Sequence, residues 1–309
     1  MPEQISRDFM KRLLVLVVSS IALRISAADL PSEYRPKGEL IISSFASAPF
    51  PHPQRAEGHK YKDKFFSAKE SYSDSTVAIF IPNGFRETGR LDFVVHFHGW
   101  GNHVENVLHH YELIDQFVAS GRNAILIVPQ GPRDASDSFG GKLEETNGFK
   151  IFMSEVEDTL RNKSGLKKKD FQIGRIVLSG HSGGYQVMSA IVDHGGMSEK
   201  VAEVWLFDAL YAQTDRFLAW EDKTHGRLIN IYTENGGTKK RSEEMMAMLK
   251  SRGTEFFVAK EGDSKAKDLQ SNKLIFLFTD LPHDEVVAKH QTFEEFLKTS
   301  CLEELKKSD

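Results

Sequence analysis

The 309-residue chain reads as a doubly wound α/β protein built on a mainly parallel sheet, folded as a single domain. Three observations predict this. From residue 76 onward, short apolar runs alternate with longer amphipathic stretches, the order that builds βαβ units. Several runs, such as Ala124-Ile-Leu-Ile-Val128, are apolar at every position, as strands buried on both faces must be. Breaker residues close the runs at Pro82-Asn-Gly84, Gly99-Trp-Gly101 and Pro129.

Residues 1–28 have the build of an export signal. Lys11 and Arg12 precede the apolar run Leu13–Leu23, and Ser26-Ala27-Ala28 offers a cleavage point before Asp29. The run is too short for a bilayer span, which needs about 20 residues, so no stable membrane insertion is expected after removal of the signal; a retained N-terminal anchor is the alternative. The expected location is outside the cytoplasm, periplasmic or secreted. Residues 29–75 read as an extended lead-in with an early strand around Leu40-Ile-Ile42; Pro49, Pro51 and Pro53 exclude a helix there.

The catalytic-domain candidate spans 76–309. Strands are expected at 76–81, 91–98, 123–128, 175–179, 203–208, 228–233, 255–258 and 274–278. Helices are expected at 104–119, 149–161, 184–194, 214–222, 239–251 and 284–299. The long polar stretch 130–148 reads as a loop, and loops of that length in a compact domain are often functional. With 40% hydrophobic and 27% charged residues, the chain has an ordinary globular composition. A net charge of −4 argues against nucleic acid as a partner, since such binding needs a basic stripe. The single cysteine, Cys301, rules out an internal disulfide and lies far in sequence from any candidate base.

Reactive groups in such a sheet gather where strands end at their carboxyl edge. The stretch Ile176-Val-Leu-Ser-Gly-His-Ser-Gly-Gly184 reads as a buried strand running into a glycine turn with Ser182 at its apex. A serine on a sharp strand-to-helix turn needs small neighbours, and Gly180 and Gly184 remove the Cβ atoms that would collide. A serine hydroxyl needs a base. His283 follows the apolar strand 274–278 in Asp280-Leu-Pro-His-Asp-Glu285, whereas His290 reads as a surface residue of the helix after it. The acid behind His283 is Asp208, which ends a wholly apolar strand, or Glu234, which ends the next one. Two backbone N–H groups are needed to hold an oxyanion; Gly183 supplies one and Trp100, in His98-Gly-Trp-Gly101, the other. Trp100, Phe139, Tyr185 and Tyr211 lie just past strand ends and border the expected pocket, with core packing as the competing role.

His96, His98, His103, His109 and His110 raise a metal-hydrolase alternative, but no carboxylate interleaves them at ligand spacing and Glu105 is poorly placed. No metal and no cofactor are expected.

Over residues 76–299 the chain resembles the α/β-hydrolase superfamily. The resemblance rests on His98-Gly99-Trp100 after the third strand, on Gly180-His181-Ser182-Gly183-Gly184, and on an acid and a histidine following in that order. Within the superfamily it is loosely similar to secreted esterases of the polyhydroxybutyrate-depolymerase and feruloyl-esterase type. It departs from the pattern in carrying Glu234 where most members have Asp, and in an insertion at 259–273; some members place the acid one strand earlier, which suits Asp208. Together these readings imply an exported serine hydrolase acting on a small-molecule or polymer-derived ester. A peptidase or amidase with the same triad, and a non-catalytic binding protein on a hydrolase scaffold, are the alternatives.

Overall fold

A computed structural model describes residues 30–305 apart from residue 169. The export signal expected at 1–28 lies outside the described residues. In chain order the elements begin with α1 (Leu30–Tyr34), β1 (Gly38–Ser44), β2 (His59–Tyr61), β3 (Lys64–Phe66), α2 (Ala68–Ser71), β4 (Thr76–Pro82) and β5 (Arg90–Phe97). They continue with α3 (Val104–His110), α4 (Leu113–Ala119), β6 (Ile125–Pro129), α5 (Gly148–Lys163), β7 (Gln172–His181), α6 (Tyr185–His194), β8 (Val201–Phe207) and α7 (Thr214–Thr224). The chain closes with β9 (Arg227–Thr233), α8 (Lys239–Ser251), β10 (Phe257–Lys260), α9 (Ala266–Ser271), β11 (Leu274–Thr279) and α10 (Thr292–Lys298).

Nine strands form one sheet in the order β1-β4-β6-β5-β7-β8-β9-β11-β10. Only β4 runs against the others, pairing antiparallel with both β1 and β6. The strand that ends at Ser182, β7, is therefore the central one, flanked in parallel by β5 and β8.

Central strands buried on both faces send alternate side chains to two cores. Val204 and Leu206 of β8 enter one core with Phe152, Met188 and Phe217 from α5, α6 and α7. Trp205 and Phe207 enter the other with Val107, Phe117 and Phe296 from α3, α4 and α10. All four strand residues are fully buried, and each such side chain contributes about 1.5–3 kcal/mol relative to exposure. That strength fixes the sheet's register, and with it the positions of the loops at its carboxyl edge.

The expected elements are present with shifted ends and three substantive differences. The stretch 104–119 is two helices, broken at Tyr111-Glu112, where Glu112 takes φ 49°. Tyr111 turns inward and is 1% exposed, so the apolar stripe is continuous although the helix is not. The last helix is shorter than 284–299: single 3₁₀ turns at His283–Glu285 and Lys289–Gln291 precede α10. His290 belongs to the second turn at φ 59°, exposed, with its Nδ1 3.3 Å from Glu261. The lead-in is more ordered than its composition suggests: besides β1 it supplies the β2–β3 hairpin and a small core in which Phe50, Phe66 and Tyr72 pack on Ala135 and Phe139. Among the described residues, no helix is long and apolar enough to cross a membrane.

Candidate active site

Ser182 stands at the carboxyl end of β7 with φ 52°, a left-handed conformation that a residue carrying a Cβ adopts only under constraint. The constraint is visible in three glycines. A Cβ on Gly184 would lie 2.7 Å from the Phe97 carbonyl oxygen, and one on Gly180 would lie 2.7 Å from Met188 Cε. One on Gly99 would come within 2.6 Å of Ser182 Cβ, so the loop after β5 presses directly against the elbow.

His283 sits in the turn after β11, partly exposed, with its Nδ1 2.6 Å from Asp208 Oδ2. Asp208 follows β8 at φ 43° and is fully buried. It is well supplied with donors: the Thr233 N–H reaches Oδ1 at 3.2 Å, the Thr233 hydroxyl reaches Oδ2 at 2.8 Å, and the Thr238 hydroxyl also donates to Oδ1. Burial by itself would raise this carboxyl's pKa; the bonds from His283, Thr238 and Thr233 outweigh it and hold the group below the ordinary carboxylate value. Gly236 lies flat on the carboxylate, since a Cβ there would stand 1.7 Å from Oδ2. Glu234, the other candidate acid, is exposed and paired with Lys239 at 2.6 Å. The geometry brings Asp208, and not Glu234, to His283.

A further residue was not picked out in sequence as a member of the site. His181, immediately before Ser182, is buried, and its ring lies 4.4 Å from that of His283. Its Nε2 is 2.9 Å from the His283 carbonyl oxygen, which can only accept, so the proton is on Nε2. Nδ1 then accepts from the Tyr111 hydroxyl at 2.9 Å. Desolvation first, then the neighbouring His283, pushes the His181 pKa down to about 4, so the ring is neutral. The inward turn of Tyr111 and the helix break beside it serve this contact. The only sequence signal is the imidazole itself, which flanks the serine after the apolar or small run Ile176–Gly180.

On the other side of Ser182, the loop after β5 is tied down from 130–148. His98 Nδ1–H donates to the Gly99 carbonyl at 2.8 Å, and its Nε2 accepts from the Gly131 N–H at 3.0 Å. His98 is thus a structural staple; burial lowers its pKa to about 4. The Trp100 indole N–H donates to Ser138 Oγ at 2.7 Å, and its ring would lie 2.8 Å from a Cβ on Gly183. Asp137 holds this loop to the lead-in: its buried carboxylate pairs with Arg55 at 2.7 Å and accepts from the Tyr72 hydroxyl at 3.1 Å. Phe139 faces that seam rather than the cleft, 4.9 Å from His52 and 6.1 Å from Phe50.

Tyr211 lies 6.4 Å from the His283 ring and 5.9 Å from Tyr185, and its hydroxyl faces Ser182 and donates to the Gly236 carbonyl. Burial raises its pKa to about 12, so it stays a phenol. Among the described residues, Ser182 Oγ makes no hydrogen bond to His283; such contacts commonly tighten only once substrate is bound.

The histidines that raised a metal reading do not converge. His96 is buried against Ser179, His103 pairs with Asp134, and His109 lies by Glu33. Among the described residues, the one grouping with metal-like spacing is His181, His283 and Asp284. Both nitrogens of His181 and the Nδ1 of His283 are already engaged, which leaves fewer donors than the three protein ligands of a catalytic zinc site. Cys301 is exposed, and its backbone N–H donates to Glu203. A recess of about 710 Å³ lies at the opposite, amino edge of the sheet, where Arg90, Asp92, Gln172 and Arg175 line it. It is charged and open, and none of its residues pairs a nucleophile with a base.

No known family model matches the sequence, and no curated protein does. Solved structures do match. A mutant of the feruloyl esterase module from Clostridium thermocellum, complexed with sinapinate, superposes with a TM-score of 0.52 at 10% identity, covering 85% of this chain and 88% of that one. A ferulic acid esterase superposes equally well, at 12% identity over 85% and 97% of the two chains. The chain has the α/β-hydrolase fold. At such identities the likeness speaks for the fold alone, and the chemistry of this hydrolase-fold chain must be argued from its own residues.

Proposed function

We propose that the chain is a serine hydrolase that cleaves carboxylic esters, with Ser182 as nucleophile, His283 as general base and acid, and Asp208 as the group that orients the imidazole. The observation carrying this reading is the 2.6 Å contact from His283 Nδ1 to a fully buried, ionised Asp208, with a serine held at φ 52° directly after His181, whose ring lies 4.4 Å from that of His283. That contact keeps the proton on Nδ1 and leaves Nε2 able to accept one.

In this mechanism Ser182 Oγ bonds to the ester carbonyl carbon while its proton passes to His283 Nε2. The carbonyl oxygen becomes an oxyanion held by the N–H groups of Gly183 and Trp100. The alcohol leaves with the proton from Nε2, giving an acyl-enzyme. Water, deprotonated by the same imidazole, then releases the acid and restores Ser182. His181 acts through its bond to the His283 backbone, as a positioning residue. The export signature at 1–28 supports a site of action outside the cytoplasm.

The test is Ser182→Ala. Turnover of an activated ester should fall at least about 10⁴-fold and labelling by a fluorophosphonate should vanish, with the unfolding midpoint in urea retained. Equal turnover by the variant would refute the assignment.

A further inference from the structure

The β2–β3 hairpin lies against Trp100, which stands beside the Ser182 elbow. It pairs His59 with Phe66, Lys60 with Phe65 and Tyr61 with Lys64, so Tyr61 and Lys64 share one face. The Tyr61 ring meets Trp100 edge-on at 4.9 Å, and Trp100 in turn lies against Gly183. Among the described residues five large hydrophobic side chains are exposed, and three of them are here: Tyr61 at 36%, Phe65 at 60% and Trp100 at 41%. The hairpin is a fixed wall, because Phe66 is buried with Phe50 and Tyr72, and Arg55 beside it is locked to Asp137.

Its charge is the opposite of the chain's. Residues 59–66 carry three lysines and one aspartate in a protein of net charge −4. Among the described residues, no ion pair engages Lys60, Lys62 or Lys64, whereas ion pairs engage Lys37, Lys239, Lys240, Lys260, Lys289 and Lys298. The Lys62 ammonium sits 5.3 Å from the Tyr61 ring centroid, and that of Lys64 4.8 Å from the Phe66 ring.

We infer that Tyr61, Trp100, Lys62 and Lys64 form a subsite for an anionic group on the ester, with the rings covering its apolar part. This rests on the hydrolase reading above and narrows its substrate class to esters carrying a carboxylate or another fixed negative charge remote from the scissile bond. Unpaired cations on a rim draw such a substrate in and lose their effect as salt screens them.

The probes are 4-nitrophenyl hydrogen glutarate, charged on the acyl side, 4-carboxyphenyl valerate, charged on the alcohol side, and neutral 4-nitrophenyl valerate. The readout is kcat/KM for each charged ester divided by that for the neutral one. In Lys62→Gln/Lys64→Gln that ratio should fall about tenfold for one charged ester, as expected of two partly exposed cations each worth a few-fold. Raising salt to about 0.5 M should lower the parent's ratio in the same way. A ratio unmoved by both changes, with Ser182-dependent turnover intact, overturns the subsite and leaves the hydrolase reading standing. No Ser182-dependent turnover of any of the three overturns both. The substitutions lie on exposed positions of an anchored hairpin, so folding does not confound the comparison.

Discussion

Asp208→Asn tests the centre of the proposed chemistry. Asn keeps the shape of the side chain and one carbonyl oxygen, which can still accept from the Thr238 hydroxyl and the Thr233 N–H that now meet Oδ1. The amide nitrogen would take the place of Oδ2, 2.6 Å from His283 Nδ1. Two donors cannot face each other, so the imidazole must move its proton to Nε2, toward Ser182, where a lone pair is needed. The Thr233 hydroxyl can rotate to accept from the new NH₂, which limits the damage to the fold. An orienting acid replaced in this way in a serine triad reduces kcat by about 10⁴, or about 5.5 kcal/mol. Steady-state hydrolysis of 4-nitrophenyl valerate measures it, with urea unfolding to establish that the variant is folded. Glu234→Gln serves as the comparison: its carboxylate is exposed and engaged by Lys239, so kcat should change less than twofold. A folded Asp208→Asn enzyme retaining a tenth of the parent's kcat, or a collapse in Glu234→Gln, would refute the reasoning.

Gly99→Ala should lower kcat/KM at least about 100-fold and destabilise by about 1–3 kcal/mol, since its Cβ would push on Ser182 Cβ from 2.6 Å; ester kinetics and urea unfolding read the two effects. Tyr111→Phe leaves His181 Nδ1 buried without its donor and should cost about 1–3 kcal/mol in urea unfolding, with the slope unchanged. His96, His98 and His181 are buried and neutral, their pKa values lowered by burial to about 3, 4 and 4. The unfolded chain, with histidines near 6.5, binds more protons than the native one below that pH. Stability should therefore fall as pH drops from about 6.5 toward 4, with a slope approaching three protons; a urea midpoint flat across that window would exclude the buried neutral state.

The parts of the molecule governed by local pattern were legible in the sequence. Ala124–Val128 and Ile176–Leu178 are apolar at every position because both of their faces are covered, and the run itself records that. The turn glycines around Ser182 record the tightness of the elbow in the same way. What decides between two carboxylates is not local. Asp208 and Glu234 both end strands, and their fates diverge through the Thr233 and Thr238 hydroxyls and the bare face of Gly236, which meet only when β8 and β9 are paired. The lead-in was obscured for a similar reason. Its prolines and lysines read as an extended lead-in with one early strand, yet Phe50, Phe66 and Tyr72 find partners on a loop some sixty or more residues later in sequence. The break at Tyr111 was invisible because the apolar spacing carries through it; the contact made there, from the Tyr111 hydroxyl to His181, lies seventy residues away in sequence.

His181 ends β7 and Ser182 opens the turn that follows it, so their side chains leave consecutive residues of one backbone stretch. One holds the backbone of the turn carrying His283, while the other offers the hydroxyl that His283 would serve. In the proposed mechanism, the nucleophile and one anchor of the turn that carries the base thus belong to the same short stretch of chain. A change at either residue therefore reaches both halves of the proposed proton transfer, although only one of them would touch the substrate.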